Sequence, residues 1–349
     1  MRDLAFPARK KYIEFNGGLL AAPKLEVYSS REISGSFIER LGRIEFSSGI
    51  KQHYLVPWSS ESLDAILSNI ELPGPVNAYL KSQPYERKRN IPKIMAVANA
   101  TPDSFYAGSR IGNDQSQLQE IIDASPDIID VGAESTRPGS AEISVAEEIE
   151  RLRPVISYLR KNSEIPLSLD TRHSKVLEEF GSEISYINDV SGFSDPGMIQ
   201  SASALGLKCI TMHMRGEPGN MQTMTEYTDV FPEVLSFLAG SAERLTEAGV
   251  KANDIYLDPG IGFAKDLQGN LELIRDAGSL KIGYCTLFGT SRKSFLGKIT
   301  GKQTAERLPA TLATTAYLAG EDVDIIRVHD VKENLDVVKV IGSIIRSGN

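Results

Sequence analysis

Polar motifs punctuate the chain from residue 99 to residue 330, and the residue types in them define the chemistry available. Asp170, Asn188 and Asp258 are two acids and an amide, each following a short apolar run. Converging on one place, they would suit a flat, nitrogen-rich ring whose amino and ring N–H groups pair with such acceptors at two points. Each also fits the plainer role of capping the helix that follows a strand, but three such residues at three strand ends weigh toward the ring. Arg327 and His329 lie two residues apart, so on a strand they share a face and suit phosphate oxygens. Asn99 is placed to hold a Mg2+ ion that bridges phosphate oxygens, since Mg2+ takes few protein ligands and shares the rest with phosphate. The alternative for Arg327, His329 and Asp330 is an internal salt-bridge network. Ser291, Arg292, Lys293 and Ser294 form a compact donor cluster, in which Lys293 can reach both a ring acceptor and a leaving anion. Its alternative is a solvated basic loop.

A second group belongs to loops. Asp103, Thr136, Arg137 and Pro138 lie among Gly108, Pro138 and Gly139, in segments suited to closing over a site and excluding water. Phe263 and Pro138 offer apolar walls for an aromatic second substrate, although a buried structural Phe fits equally. Met212 can pack on a ring face, and its neighbour His213 reads as structural.

The elements that must carry these residues are legible in the apolar pattern. Runs at 93–98, 127–131, 166–169, 185–187, 208–212, 255–257, 282–288 and 324–328 read as eight strands. Amphipathic stretches such as 146–161, 232–247 and 309–319 lie between them. Alternating strand and helix implies a parallel sheet, and eight units in this length favour a closed (β/α)8 barrel over residues 91–349. In such a barrel the polar motifs sit at the strand tips that line one mouth.

Residues 1–90 read as a small α+β extension of unknown role. Runs at 11–15, 25–29, 43–46 and 53–58 are β-like. Residues 60–70 form a short helix capped by Ser60, with Leu63, Ile66 and Leu67 on one face. Pro73, Pro75, Pro84 and the basic Arg87–Arg89 cluster give 73–90 the composition of a linker.

Composition narrows the partners. A net charge of -8 argues against a nucleic-acid surface or an anionic membrane surface. No apolar run approaches the roughly 20 residues of a membrane span, and the N-terminus lacks a signal peptide's apolar core. Cys209 and Cys285 read as reduced core thiols of a cytoplasmic protein, and the four histidines show no zinc spacing.

Taken in order, the motifs at 99–105, 134–139, 170–171, 187–192, 212–216, 257–265, 291–294, 307–309 and 326–331 resemble dihydropteroate synthase. The resemblance implies a TIM barrel that condenses 6-hydroxymethyl-7,8-dihydropterin diphosphate with p-aminobenzoate, in folate biosynthesis, and that is a sulfonamide target. It implies that Asp170, Asn188, Met212, Asp258, Lys293 and Arg327 surround the pterin. Asn99, Arg327 and His329 take the diphosphate and Mg2+. Thr136, Pro138, Phe263 and Ser294 surround the arylamine, with Asp103 and Arg137 on closing loops. A homodimer is also expected. Ala100, Ala133, Tyr106, Ala107 and Asp266 depart from the family's usual residues, without removing one assigned to pterin or diphosphate. A pterin-dependent methyltransferase and a non-catalytic pterin- or phosphate-binding protein are the rival readings; the first would not need the 99–105 loop, the 291–293 cluster or Arg327 and His329, and the Mg2+ and closing-loop residues speak against the second.

Overall fold

The computed structural model describes residues 1–9, 23–33, 39–46, 49–82, 90–100, 113–134, 143–217 and 219–347. Four N-terminal strands, β1 (Leu4–Pro7), β2 (Lys24–Ser29), β3 (Glu39–Phe46) and β4 (Gly49–Pro57), form an antiparallel sheet in the order β1-β2-β4-β3. The short helices α1 (Ser60–Leu67) and α2 (Gly74–Lys81) follow. The runs at 25–29, 43–46 and 53–58 fall within or against these strands, whereas 11–15 lies outside the described residues. Three details differ from the sequence reading. β1 was not foreseen, because a four-residue strand ending in Pro7 has too little pattern to show. The cap of α1 is Ser59, whose hydroxyl accepts from the Ser62 backbone N–H at 3.2 Å; Ser60 is already helical. Part of the expected linker is helix α2, since its proline sits at the helix start, where no N–H partner is needed. Trp58 Nε1 donates to Leu80 O at 2.8 Å and ties α2 to the end of β4.

The barrel begins with β5 (Lys93–Asn99), α3 (Asn113–Asp123), β6 (Ile128–Gly132), α4 (Val145–Asn162), β7 (Leu167–Asp170) and α5 (Ser174–Phe180). It continues through β8 (Tyr186–Asp189), α6 (Pro196–Ala204), β9 (Lys208–Met212), α7 (Val230–Glu247), β10 (Ile255–Asp258) and α8 (Leu267–Arg275). β11 (Cys285–Phe288), α9 (Ser294–Thr300), α10 (Leu308–Gly320), β12 (Ile325–Val328) and α11 (Val331–Arg346) complete it. Neighbouring strands are parallel, and β12 pairs with β5 to close the ring. The expected strand at 282–288 is shorter at its start: Gly283 has φ +95, which breaks the extended run before Cys285. That glycine is also a close approach. A Cβ there would lie 2.4 Å from Pro75 O, so the start of α2 rests on the barrel backbone.

Period-two alternation decides what the site is made of. Met95, Ile128, Tyr186, Ile210, Tyr256, Leu287 and Ile325 form a separate apolar cluster inside the ring. Two residues further along their strands, on the same inward face, stand Asp130, Asn188, Met212, Asp258 and Arg327. The alternate positions, such as Ile129, Leu169, Ile187, Leu257 and Ile326, join the larger core under the helices. A dry plug therefore fills the lower half of the barrel, and the polar layer sits on top of it.

Candidate active site at the mouth of the barrel

The polar layer is organised by Arg327 on β12. Its Nε donates to Asp130 Oδ2 at 2.6 Å and an Nη donates to Asp170 Oδ2 at 2.9 Å. Asn188 Nδ2 donates to the same Asp130 oxygen at 3.1 Å. Burial works to lower the affinity of the guanidinium for its proton, but the two carboxylates outweigh it and keep Arg327 charged. Asp170 is pushed up to about 7 by burial and by the nearby charge of Asp130, against the pull of Arg327. Asp130 is wholly buried, and its Oδ1 has no hydrogen-bond partner among the described residues. Sequence reasoning did not single out Asp130. The signal was an acid inside the apolar run Ile128-Ile129-Asp130-Val131, because a buried carboxylate demands a partner.

Gly132 makes room for this arrangement. It lies opposite Asp170 in the parallel register, and a Cβ on it would meet the Asp170 Cβ at 3.1 Å.

Asp258 supplies the third acid, from β10. Its Oδ1 accepts from the Gly260 backbone N–H at 2.8 Å, the compact turn expected of an aspartate that ends a strand. Burial raises its proton affinity while Lys293 opposes that rise. Gly260 has φ +66, and a Cβ there would lie 2.1 Å from His213 O, so only glycine fits. The turn leads to Phe263, whose ring centroid is 4.2 Å from Lys293 Nζ. Lys293 also donates to Ile261 O. Burial lowers Lys293 to about 8, with Asp258 holding it up and Arg327 pressing it down.

Behind this turn lies a buried pair that the sequence reading had only half seen. Lys265 Nζ reaches Phe263 O at 2.9 Å, Gly260 O at 3.1 Å and His213 Nδ1 at 3.0 Å. Burial drives both Lys265 and His213 well below their ordinary values. His213 is structural, as expected, and Lys265 is the clasp of the loop. Asp266, one of the departures from the family pattern, caps α8 by accepting from Gly269 N–H at 2.7 Å.

The donor cluster 291–294 divides. Ser291 Oγ lies 3.1 Å from His329 Nδ1 and accepts from the His329 backbone N–H at 3.2 Å. Arg292 turns away: its Nε donates to Asp330 Oδ2 at 2.9 Å, and its backbone is left-handed with φ 57. The salt-bridge alternative thus holds for Arg327, paired with Asp130 and Asp170, and for Asp330, paired with Arg292, while His329 stays exposed at the mouth. Ser294 is exposed at the start of α9, Met212 is buried beside Gly260, and Asn99 is half-buried at the end of β5. Asp103, Thr136, Arg137 and Pro138 lie outside the described residues. Among the described residues no group of three or more His, Cys, Asp or Glu side chains is arranged to hold a metal ion. Asn99 offers one side-chain oxygen at the end of β5, a donor type that Mg2+ accepts.

Residues 95–329 match the model of the family described as pterin binding enzyme. The chain belongs to this family. Within it, the chain is 38% identical over 258 residues to dihydropteroate synthase of Escherichia coli strain K12, spanning 72% of this chain and 90% of that one. The Yersinia pestis dihydropteroate synthase structure, described as a sulfonamide drug complex, superposes with TM-score 0.69 at 34% identity and covers 74% of this chain and 96% of that chain. The Anaplasma phagocytophilum enzyme with bound 6-hydroxymethylpterin-monophosphate gives TM-score 0.67 at 31% identity, covering 73% and 100%. This pterin-binding barrel is thus a transferase of the dihydropteroate synthase group, which decides between the synthase and its two rivals.

Replacing Asp130 with Asn would keep the shape and remove one of the two charges facing Arg327. The expected result is a fold weakened by about 1–3 kcal/mol and pterin affinity lowered tenfold or more, read by thermal melting and by titration with 6-hydroxymethylpterin. Unchanged affinity would show that Asp130 does not set the geometry of the polar layer.

Proposed function

We propose that the mouth of the barrel binds 6-hydroxymethyl-7,8-dihydropterin diphosphate in the polar layer and joins it to p-aminobenzoate supplied from the rim. The observation that carries this reading is the convergence of Asp170, Asn188 and Asp258, with Arg327 and Lys293, above an apolar floor. Ionised Asp170 and Asp258 accept from the amino and ring N–H groups of the pterin, and Asn188 adds an amide held fixed by Asp130. Lys293 donates to a ring acceptor, and Met212 and Arg327 flank the ring faces.

The arylamine nitrogen attacks the exocyclic methylene carbon with its lone pair, and the bond from that carbon to the diphosphate oxygen breaks. The diphosphate leaves with the bonding electrons, and the extra proton on nitrogen passes to solvent. No side chain forms a covalent bond in this scheme. Positive charge that develops on the pterin faces Asp170 and Asp258, while negative charge on the leaving group faces Arg327 and His329. Mg2+ held through Asn99 would supply further charge neutralisation at the diphosphate. Phe263 and Ser294, with Thr136 and Pro138, would surround the arylamine. Asp103 and Arg137 would close over it, and a sulfonamide, itself an arylamine, would compete there.

No helix of the described chain is long and apolar enough to cross a membrane, and we read the enzyme as cytoplasmic. We also read it as a homodimer, because Val340 and Ile344 on α11 are 58% and 61% exposed. Sedimentation should then give twice the 38.2 kDa chain mass, and a species of single chain mass would remove the dimer.

The deciding assay mixes the protein with the pterin diphosphate, Mg2+ and p-aminobenzoate and follows diphosphate. Release that depends on the arylamine is expected; tight pterin binding without turnover would defeat the reaction. Because Asp170 must lose its proton near pH 7 and Lys293 keeps its own only to about 8, kcat/KM should rise through about 7 and fall above about 8. Asp258→Asn retains the acceptor for Gly260 N–H but loses the charge, so the fold should persist while pterin binding collapses. Survival of activity in that variant would mean that Asp258 has been given the wrong role.

A further inference from the structure

Among the contacts between the extension and the barrel, which include the Arg2–Glu243 ion pair and the Phe6 and Phe231 rings, one side chain is wholly buried and bonds both sides. Arg9, just beyond β1, has no exposed surface. On the sheet side its Nε donates to Glu26 Oε2 at 3.0 Å and an Nη donates to Tyr28 Oη at 2.9 Å. On the barrel side its two Nη atoms donate to Asp229 at 2.6 and 2.8 Å, and Nη1 also donates to Glu272 Oε1 at 2.8 Å. The Phe231 ring lies 5.4 Å from the guanidinium carbon. Burial opposes the charge on Arg9, but the bonds to Glu26 and Asp229 hold it firmly protonated. His53 Nε2 is 2.8 Å from Glu26 Oε1, and with Arg9 it holds the Glu26 carboxyl down at about 2 despite burial.

The two barrel acids are not on one element. Asp229 stands at the N-cap of α7 and ends the loop that leaves β9 at Met212. Glu272 lies in α8, which starts immediately after the loop carrying Gly260, Phe263 and Lys265. These two loops form one wall of the pterin site, and they are stitched together. Tyr227 Oη donates to Ala264 O at 2.9 Å, Gln222 Nε2 to Gly262 O at 3.3 Å, and Gly262 N–H to Asn270 Oδ1 at 2.6 Å. A planar guanidinium that bonds the start of α7 and the middle of α8 fixes their separation, because its donors have a rigid fork geometry.

We propose that Arg9 is a positioning residue for the synthase reaction, through which the N-terminal sheet holds the β9–α7 and β10–α8 loops in pterin-binding geometry. Docking of the sheet and occupancy of the pterin site are then coupled, and the coupling acts equally in both directions. The proposal rests on the pterin reading of the barrel mouth.

The test uses the full chain, with Arg9→Met and Arg9→Lys variants, and 6-hydroxymethylpterin as the binding probe. In the unaltered protein, saturating pterin should slow amide exchange in β2 severalfold. Arg9→Met should abolish that response and raise the KM for the pterin diphosphate tenfold or more, while kcat changes less than threefold. Arg9→Lys, which keeps the charge without the fork, should fall between. Pterin binding that leaves β2 exchange unchanged overturns the coupling, as does a folded Arg9→Met with normal KM. Failure to bind pterin at all would instead strike at the reading of the mouth. Should Arg9→Met not fold, Glu272→Ala removes the acceptor that α8 offers to Arg9 and must still raise KM and weaken the exchange response; if it does neither, Arg9 is a structural anchor and no more.

Discussion

A half-buried guanidinium whose donors turn into the mouth of a parallel barrel has to be surrounded by acceptors, and the arrangement of this site follows from that requirement. Removing such a group from water costs several kcal/mol unless carboxylates lie within hydrogen-bond reach. Arg327 finds them on β6 and β7, two and three strands round the ring from its own: Asp130 at 2.6 Å and Asp170 at 2.9 Å. Asn188 donates to the same Asp130 oxygen as Arg327 and is fixed in orientation by it. Asp170, left with a crowded negative neighbour, hovers between charged and neutral near pH 7. Asp258 and Lys293 complete a set of opposed charges whose individual positions depend on strands drawn from most of the ring. The apolar plug below, from Met95 to Ile325, excludes water from the underside and so strengthens every one of these interactions.

The loops add a different kind of constraint. Where strand residues are placed by register, Phe263 and Lys293 are placed by a clasp. The ammonium of Lys265 gathers carbonyls of its own loop, and a glycine at 260 allows the chain to pass close to His213. Arg292 belongs to the same donor cluster as Lys293, yet it is spent on Asp330, leaving Ser291 and His329 as the partners that face each other at the rim. Basic residues in a cluster are thus not equivalent, and the left-handed backbone at Arg292 is what sends it outward while Lys293 points in.

Much of this was readable from the chain itself. Apolar runs repeat with a period that only alternating strands and helices satisfy, so the barrel and the inward-facing Asp170, Asn188, Asp258 and Arg327 followed from local pattern. Asp130 escaped notice because it interrupts an apolar run without any turn or glycine to mark it. The helix at 74–81 was obscured by prolines that resemble a linker until one sees that they occupy the helix start. Arg9 had no local signal at all. Its acids stand 220 and 263 residues away, and neither an N-cap aspartate nor a surface glutamate announces a distant partner. Pairings of that range are set by how whole elements pack, which a window along the sequence does not contain.

The single buried fork between sheet and barrel also bears on how such an extension persists through descent. Three acids, Glu26, Asp229 and Glu272, share one cation. Loss of that arginine by a point change would strand negative charges in a dry interface, whereas loss of any one acid leaves the others satisfied. Drift can therefore erode the acids one at a time but cannot begin at the arginine. The joint between sheet and barrel is consequently far more tolerant of losing one acid than of losing the arginine.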